Sequence, residues 1–234
     1  MEFNILRCTI LQITLCQKTD HFDYKMHNIT LKRTDQHSYL GICLNHKLSW
    51  SPHISHLCNK ANRLLGFLHR NLRNSPRHLK EIAYKQLILP VLQYCSSIWD
   101  PHQQYLIHKL EMVQHRAARF VLNKPWKRND QDSITQLLQQ LNWPTLEAQR
   151  RHARLILLYK VINNILIIPS EYLPTPSTSV TRAQHTLKFL HYQTFIDTYR
   201  YSFFHGQYPS LTICNIDEND IETFKGPPPT VSHS

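Results

Sequence analysis

Glycine is scarce in this sequence of 234 residues. The chain holds only four glycines, Gly41, Gly66, Gly206 and Gly226. A phosphate-cradling loop needs two glycines within about six residues, and a dinucleotide-binding loop needs about three within the same span. The sequence therefore excludes both kinds of nucleotide site.

Paired cysteines and long apolar runs are also missing. The two closest of the six cysteines, Cys8 and Cys16, are eight positions apart, so no short metal-binding pair exists. Isolated cysteines are typical of reduced, buried thiols. The longest apolar runs, 87–99 and 155–168, are too short and too interrupted to span a membrane, and the amino terminus lacks a basic leader. We therefore expect an intracellular protein, nuclear or cytoplasmic, without a membrane partner.

Acidic residues are the third shortage. Sixteen Asp and Glu face 27 Lys and Arg, which gives a formal net charge of +11. Residues 211–234 contain four acids and one lysine, so residues 1–210 carry +14. A surface this basic favours a polyanion partner, because each phosphate contact releases condensed counterions. A solvated basic surface without a partner is the alternative.

The pattern of residues divides the chain into three parts and predicts an α+β fold that is predominantly α. Residues 1–50 alternate with a period of two, which predicts short strands at 8–15 and 38–44 and a hairpin over 22–32 with its turn at His27-Asn28. Residues 51–166 are predicted to form helices. Residues 167–234 read as an irregular region with an acidic, proline-rich tail.

Three dipeptides mark the expected helix starts: Ser51-Pro52, Ser75-Pro76 and Asp100-Pro101. Each would place a capping side chain before a proline in the first helical turn. Apolar residues recur with the helical period after each dipeptide, and again near 134–141 and 145–163, so these stripes should form the core. The stripe after Pro76 consists of Leu79, Ile82, Ala83, Leu87 and Ile88, and Pro90 should kink or end that helix.

The opposite helix faces are basic and carry few acids. A solvated face usually alternates both signs, so the shortage of acids favours phosphate contact. Trp126 is either a stacking residue in a basic loop or a cap on the core. The residues predicted to bind nucleic acid are Lys60, Arg63, Arg70, Arg73, Arg116, Arg119, Lys127, Arg128, Arg150 and Arg154.

Catalytic and metal-binding constellations are not evident in the residues. The acids of residues 1–50 are isolated from one another, whereas nucleotidyl transfer needs converging carboxylates. His53, His56 and Cys58 form the only His/Cys cluster; the two histidines share a helix face, but Cys58 points away and no fourth ligand is evident. Surface histidines are the favoured interpretation, so we predict no catalytic residue, no metal site and no cofactor.

Several blocks of sequence resemble one family. Tyr39-Leu40-Gly41-Ile42, Leu48-Ser49-Trp50 and His53-Ile54 resemble the YLGI-x-LD-x-x-LSW-x-x-HI signature of non-LTR retrotransposon reverse transcriptases, especially those of jockey-type elements. The likeness continues in family order through 60–73, 84–102, 109–123, 141–164 and 187–204. Asn45 departs from the signature, where the family has Asp.

The resemblance implies a carboxyl-terminal fragment of such an enzyme. It divides the chain into a palm remnant with a small antiparallel sheet over 1–50, a thumb-like helical bundle over 51–166 and a carboxyl-terminal region over 167–234. It implies a primer-grip-like hairpin that includes Tyr39, Leu40, Gly41 and Trp50. The aspartates that hold Mg²⁺ in the family have no counterpart here.

The implied partner is RNA or an RNA–DNA hybrid duplex, bound without sequence specificity and without polymerisation by this chain alone. A small-molecule substrate is not expected, and the oligomeric state stays open. A non-functional or scaffold protein derived from a degenerate element is the alternative.

Overall fold

The computed structural model describes residues 8–14, 22–124 and 131–169, except the side chains of 131–134 and 162. Helices dominate these residues, which is compatible with the predicted fold class. The chain divides into two units, Met1–Tyr159 and Lys160–Ser234, and the candidate site described below belongs to the first.

Short strands occupy the amino-terminal part of the described residues. They are β1 (Thr9–Ile10), β2 (Lys25–Met26), β3 (Ile29–Thr30), β4 (Lys32–Arg33), β5 (Gln36–Tyr39) and β6 (Ile42–Asn45). The pairs β2–β3 and β5–β6 are antiparallel, whereas β1 and β4 pair in parallel. The parallel pair departs from the antiparallel sheet that the sequence predicts.

Two hairpins turn through residues with positive φ. His27 and Asn28 have φ of 47° and 63°, which confirms the predicted turn between β2 and β3. Leu40 and Gly41 have φ of 47° and 81°, so 38–44 forms two strands and a turn instead of the predicted single strand. Positive φ at both central residues is the geometry that matches the twist of a two-residue hairpin, and Gly41 adopts it freely.

The turn residue Leu40 provides a first test. Replacing Leu40 with Asn should raise the free energy of unfolding by about 0.5–1 kcal/mol, because Asn tolerates positive φ far better than Leu. Leu40 is 71% exposed, so its side chain contributes little to packing. Urea unfolding of both proteins measures the difference. A loss of stability would show that the Leu40 side chain contributes more than its backbone strain costs.

The helices in the described residues are α1 (Ser51–Asn71), α2 (Arg77–Ala83), α3 (Leu89–Gln93), α4 (Ser96–Trp99), α5 (Gln104–Val121), α6 (Gln131–Leu141) and α7 (Leu146–Ile162). The five helices predicted from the apolar stripes are confirmed as α1, α2, α5, α6 and α7, whereas the sequence does not predict the short α3 and α4. A π-helical turn, Tyr84–Ile88, joins α2 to α3. This wider turn directly precedes Pro90, whose missing N–H and bulky ring disrupt an ordinary helix. The helix therefore passes Pro90 and ends only at Gln93.

The predicted side-chain caps are wrong. The helix α1 starts at Ser51 itself, α2 starts at Arg77 and α5 starts at Gln104, and none of the three has a side-chain hydrogen bond at its cap. The carboxylate of Asp100 is instead used in ion pairs with α7.

Part of the apolar stripe after Pro76 faces outward, contrary to the sequence-based expectation, although Ile88 is buried as expected. Leu79 and Ile82 are 44% and 52% exposed, whereas Lys80 and Tyr84 are buried. The ring of Tyr84 stacks on Trp143 at a centroid distance of 4.2 Å. Lys80, Tyr84 and Ile88 therefore form the inward face, and the buried ammonium of Lys80 is satisfied by hydrogen bonds described below.

A single apolar cluster joins α1, the π-helical turn, α3, α5 and α6. Ile54, Ala61 and Leu110 at its centre have no exposed surface. This packing fixes α1 against α5, and those two helices position the basic residues.

Candidate nucleic-acid interface

Helices α1 and α5 run parallel to each other. The Nζ atom of Lys109 donates to Oγ of Ser55 at 2.7 Å, and Nη1 of Arg116 donates to Oδ1 of Asn62 at 3.0 Å. Both partners advance by seven residues, which is about two helical turns. The long side chains of α5 therefore lie across the seam between the helices, where they reach the solvent.

Five exposed cations lie on the outer sides of these two helices, and we call this set the cation face. Arg63 and Arg70 are seven residues apart on α1, and Lys60 lies three residues before Arg63, so the three share one side of the helix. Lys109 and Arg116 of α5 complete the surface. The α1 cations extend over about 15 Å at 1.5 Å per residue.

Two acids of the helical region, Glu81 and Glu111, are engaged in contacts away from the cation face. Glu81 pairs with Lys85 at 2.8 Å, and that hydrogen bond lowers the pKa of Glu81. Glu111 is buried and accepts hydrogen bonds from the backbone N–H groups of Leu146 and Glu147. Burial raises the pKa of Glu111. Neither carboxylate therefore neutralises the cation face.

Arg150 and Arg154 belong to the interior network of α7 and not to an outer basic face. Nε of Arg150 lies 2.8 Å from Oδ1 of Asp100, and Nη1 of Arg154 lies 2.7 Å from Oδ2. The Arg150 side chain is 2% exposed, and that of Arg154 is 14% exposed. The prediction that Arg150 contacts phosphates is wrong, because an α7 guanidinium buried against Asp100 is out of reach of a duplex. Arg154 shares the same carboxylate.

A groove of about 530 Å³ lies at the carboxyl-terminal ends of α1 and α5. Its floor is buried and consists of Lys80, Arg119 and Phe120. Its rim is exposed and consists of His69, Arg73, Asn74, Arg116, Asn123 and Lys124. None of these nine residues is acidic. We call this feature the basic groove.

Lys80 holds the floor of the basic groove in place. Its ammonium donates to the carbonyl oxygen of Arg73 at 2.8 Å and to Oδ1 of Asn123. The same nitrogen lies 5.2 Å from the centre of the Phe120 ring. These contacts tie the segments that follow α1 and α5 to α2, and a cation there also complements the negative ends of two helix dipoles.

The structure sorts the other predicted nucleic-acid residues into two places. Arg73, Arg116 and Arg119 meet in the basic groove, where Arg116 also belongs to the cation face. Lys127 and Arg128, with Trp126, lie outside the described residues. Lys80 and Lys124 also line this groove, although they are not among the residues predicted to bind nucleic acid. No short-range pattern joins residues 80 and 124, so only the fold reveals their proximity.

The predicted primer-grip-like residues lie at two ends of one strand. The hydroxyl of Tyr94 donates to the carbonyl oxygen of Leu40 at 3.0 Å, and the Tyr94 ring lies beside Gly41, where an added Cβ would be 3.4 Å away. Trp50 lies beyond the other end of β6, with its ring edge-on to His53 at 6.3 Å. Their role as a primer grip stays a prediction.

His53 is a buried link between the hairpin and the helices, which corrects its expected surface position. Its Nδ1 accepts the backbone N–H of Cys43 at 3.2 Å, and its ring lies 5.4 Å from that of Trp99. Burial, with a smaller effect from His56, lowers the pKa of His53 to about 4. The described residues contain no group of three His, Cys, Asp or Glu placed to hold a metal.

One known protein is similar to part of this chain. It is a Drosophila melanogaster protein described as a probable RNA-directed DNA polymerase from transposon BS, and it is 24% identical over 128 residues. The match covers 53% of this chain and 14% of that protein, so the chain spans only a small part of its relative's length. This similarity supports a relationship to a transposon reverse transcriptase.

The other comparisons add no relationship. No protein-family model matches the chain. No solved structure matches it. Among the described residues, no helix combines the length and the apolar character that crossing a bilayer requires.

Proposed function

We propose that this chain binds RNA or an RNA–DNA hybrid duplex without sequence specificity. In this proposal it acts as the thumb-like, carboxyl-terminal part of a non-LTR retrotransposon reverse transcriptase of the jockey type. The observation that carries the proposal is the cation face, which consists of the exposed Lys60, Arg63 and Arg70 on α1 and the exposed Lys109 and Arg116 on the parallel helix α5. The relationship to a transposon RNA-directed DNA polymerase gives this surface a class of partner.

The chemistry of the cation face favours the phosphate backbone over the bases. Its members are long, exposed Lys and Arg side chains on the outside of two packed helices, which suits contact with a convex duplex. Such contacts position a duplex but do not read its sequence. The proposal therefore assigns binding to this chain and no polymerisation.

Salt dependence tests the proposal. Fluorescence anisotropy with a labelled RNA–DNA hybrid should show an affinity that falls as salt rises, with a logarithmic slope of about −0.9 per phosphate contact, the value for B-form DNA. Replacing both Arg63 and Arg70 with Gln should therefore reduce the magnitude of this logarithmic salt slope by about 1.8. The reduction should be the same for hybrids of unrelated sequence.

Lys85 offers a matched control. It is an exposed cation, but Glu81 already neutralises it at 2.8 Å, so Lys85→Gln should leave the slope unchanged. Absence of binding at low salt would refute the proposal and favour the scaffold alternative. An equal loss in the Lys85 variant would show that net charge matters and that the cation face does not.

A further inference from the structure

Phe67 is an exposed aromatic residue in the middle of the outer face of α1. Its side chain is 52% exposed and does not belong to the apolar cluster of the core. Arg63 lies four residues before it and Arg70 three residues after it, so both cations are its neighbours on the same helix face. Lys60, about two turns before Phe67, continues that face. The ring therefore lies among the α1 members of the cation face.

The α1 cations around Phe67 are available to a ligand. In the part of the chain that the structure describes, no hydrogen bond or ion pair engages the side chains of Lys60, Arg63 or Arg70. Residues 36–80 contain no Asp or Glu, so α1 carries no acid of its own that could neutralise them. An exposed helix face with charge of one sign attracts a polyanion.

Gly66 leaves the space beside Phe67 open to Arg70. A Cβ added at Gly66 would lie 3.7 Å from Nη1 of Arg70. The Arg70 guanidinium therefore reaches back along α1 toward the turn that holds Phe67, which is the direction in which helical side chains point. One turn of the helix thus presents an aromatic ring and a planar cation to the same ligand.

A nucleotide with an unpaired base matches this combination. Its base offers a flat face to the ring and its phosphate offers an anion to the arginines, which is how many proteins hold single strands. In a continuous duplex the bases are paired and stacked inside the helix, so a surface ring does not reach their faces. A membrane surface fits less well, because the apolar stripe of α1 is buried, and among the large apolar residues of α1 Phe67 alone is exposed.

From this arrangement we propose that the outer face of α1 binds a single-stranded segment of nucleic acid, with one unpaired base stacked on Phe67. Arg63 and Arg70 contact the phosphates on either side of that base, and Lys60 extends the contacts along the strand. The stacking site rests on the proposed function for its phosphate contacts, and it adds an unpaired base to what the cation face binds.

Three labelled probes test the stacking site on the unmodified chain, by fluorescence anisotropy at a fixed salt concentration. They are an oligothymidylate, a strand of equal length and charge whose nucleotides are all abasic, and the RNA–DNA hybrid. We expect the oligothymidylate to bind about tenfold more tightly than the abasic strand, since stacking of one base on an aromatic side chain supplies a factor of about this size. The hybrid measures the proposed duplex binding separately.

Variants locate the preference. Phe67→Ala should bind the oligothymidylate and the abasic strand equally and should keep its affinity for the hybrid, whereas Phe67→Trp should retain the preference, because an indole ring also stacks. Ile82→Ala is the matched control: Ile82 is also 52% exposed, but Lys85 beside it is already paired with Glu81, so the preference should not change. Arg63→Gln should weaken the binding of all three probes and preserve the ratio between the two single strands.

The outcomes separate the two proposals. Equal affinity of the unmodified chain for the oligothymidylate and the abasic strand overturns the stacking site and leaves duplex binding intact. A preference that survives in a folded Phe67→Ala variant also overturns it, because the base then binds elsewhere. Binding of the oligothymidylate without binding of the hybrid supports the stacking site and overturns the proposed function. Binding to anionic vesicles that depends on Phe67, with no difference between the two strands, overturns the stacking site and assigns the face to a membrane surface.

Discussion

Replacing Asp100 with Asn should lower the free energy of unfolding by about 3 kcal/mol, the largest effect that we expect from one substitution. The carboxylate of Asp100 contacts Arg150 and Arg154 at 2.8 and 2.7 Å. Breaking a buried ion pair by removing one partner costs about 3–5 kcal/mol, because a charge stays buried without compensation. The lower end applies because Asp100 is 15% exposed and Asn still accepts a hydrogen bond.

The loss of stability in Asp100→Asn arises mainly at Arg150, the buried partner of Asp100. In the structure its Nε reaches Asp100, whereas its Nη1 and Nη2 atoms are buried without a hydrogen bond. Removing the Asp100 charge leaves that guanidinium without its carboxylate. A double-mutant cycle with Arg150→Met should therefore show a coupling well above that of an exposed pair.

Urea unfolding of Asp100→Asn measures the effect, with Glu81→Gln as the matched control. Glu81 pairs with Lys85, which is 51% exposed, so its loss should cost no more than about 1 kcal/mol. A similar small loss for Asp100→Asn would show that solvent compensates Arg150.

Acid should destabilise the fold well before its carboxylates are protonated. His53 and His115 both have a pKa of about 4, which burial lowers from the ordinary value of 6.5. The unfolded chain therefore binds more protons than the folded chain between pH 6.5 and 4. Stability from each histidine is complete above pH 6.5 and is lost as the pH falls toward 4. Between pH 8 and 5 we expect a loss of about 2 kcal/mol per histidine.

The geometry of His53 gives this prediction a specific variant. Its Nδ1 must be unprotonated to accept the N–H of Cys43. His53→Asn keeps an acceptor oxygen but cannot titrate. Between pH 8 and 5, the free energy of unfolding of this variant should therefore fall by about 2 kcal/mol less than that of the unmodified chain. Its stability at pH 8 should be lower, because Trp99 loses a ring contact.

Urea unfolding at several pH values between 8 and 5 measures how the free energy of unfolding depends on pH, with His56→Asn as a control. His56 is exposed, so removing it should leave most of the slope in place. A profile of His53→Asn parallel to that of the unmodified chain would show that His53 is protonated without cost.

The sequence predicts those features that depend on neighbours along the chain. The apolar stripe of α1 recurs with the helical period, and its buried positions are the expected ones, as at Ile54, Leu57 and Ala61. The turn at His27-Asn28 follows from the residue types alone. The buried face of α2 cannot be predicted in this way, because it depends on contacts with Trp143 and Asn123, which lie far along the chain.

The candidate interface divides in the same way. Arg63 and Arg70 can be placed on one face because seven residues make about two turns. Arg150 could not be assigned, because its partner Asp100 lies fifty residues earlier and looked like a helix cap. The basic groove joins α1, α2 and α5 through Lys80 and Asn123, and no sequence period encodes that meeting.

The parallel arrangement of α1 and α5 has a consequence for the order of synthesis. The residues paired across the seam, such as Asn62 and Arg116, are 54 positions apart. A chain grows from its amino terminus at about 5–20 residues per second, so the cations of α1 emerge several seconds before their neighbours on α5. During that interval the nascent chain presents three of the five cations of the cation face, and the groove has no floor residue from α5. Tight association with a polyanion should therefore begin only after Val121 and the segment that follows it have left the ribosome.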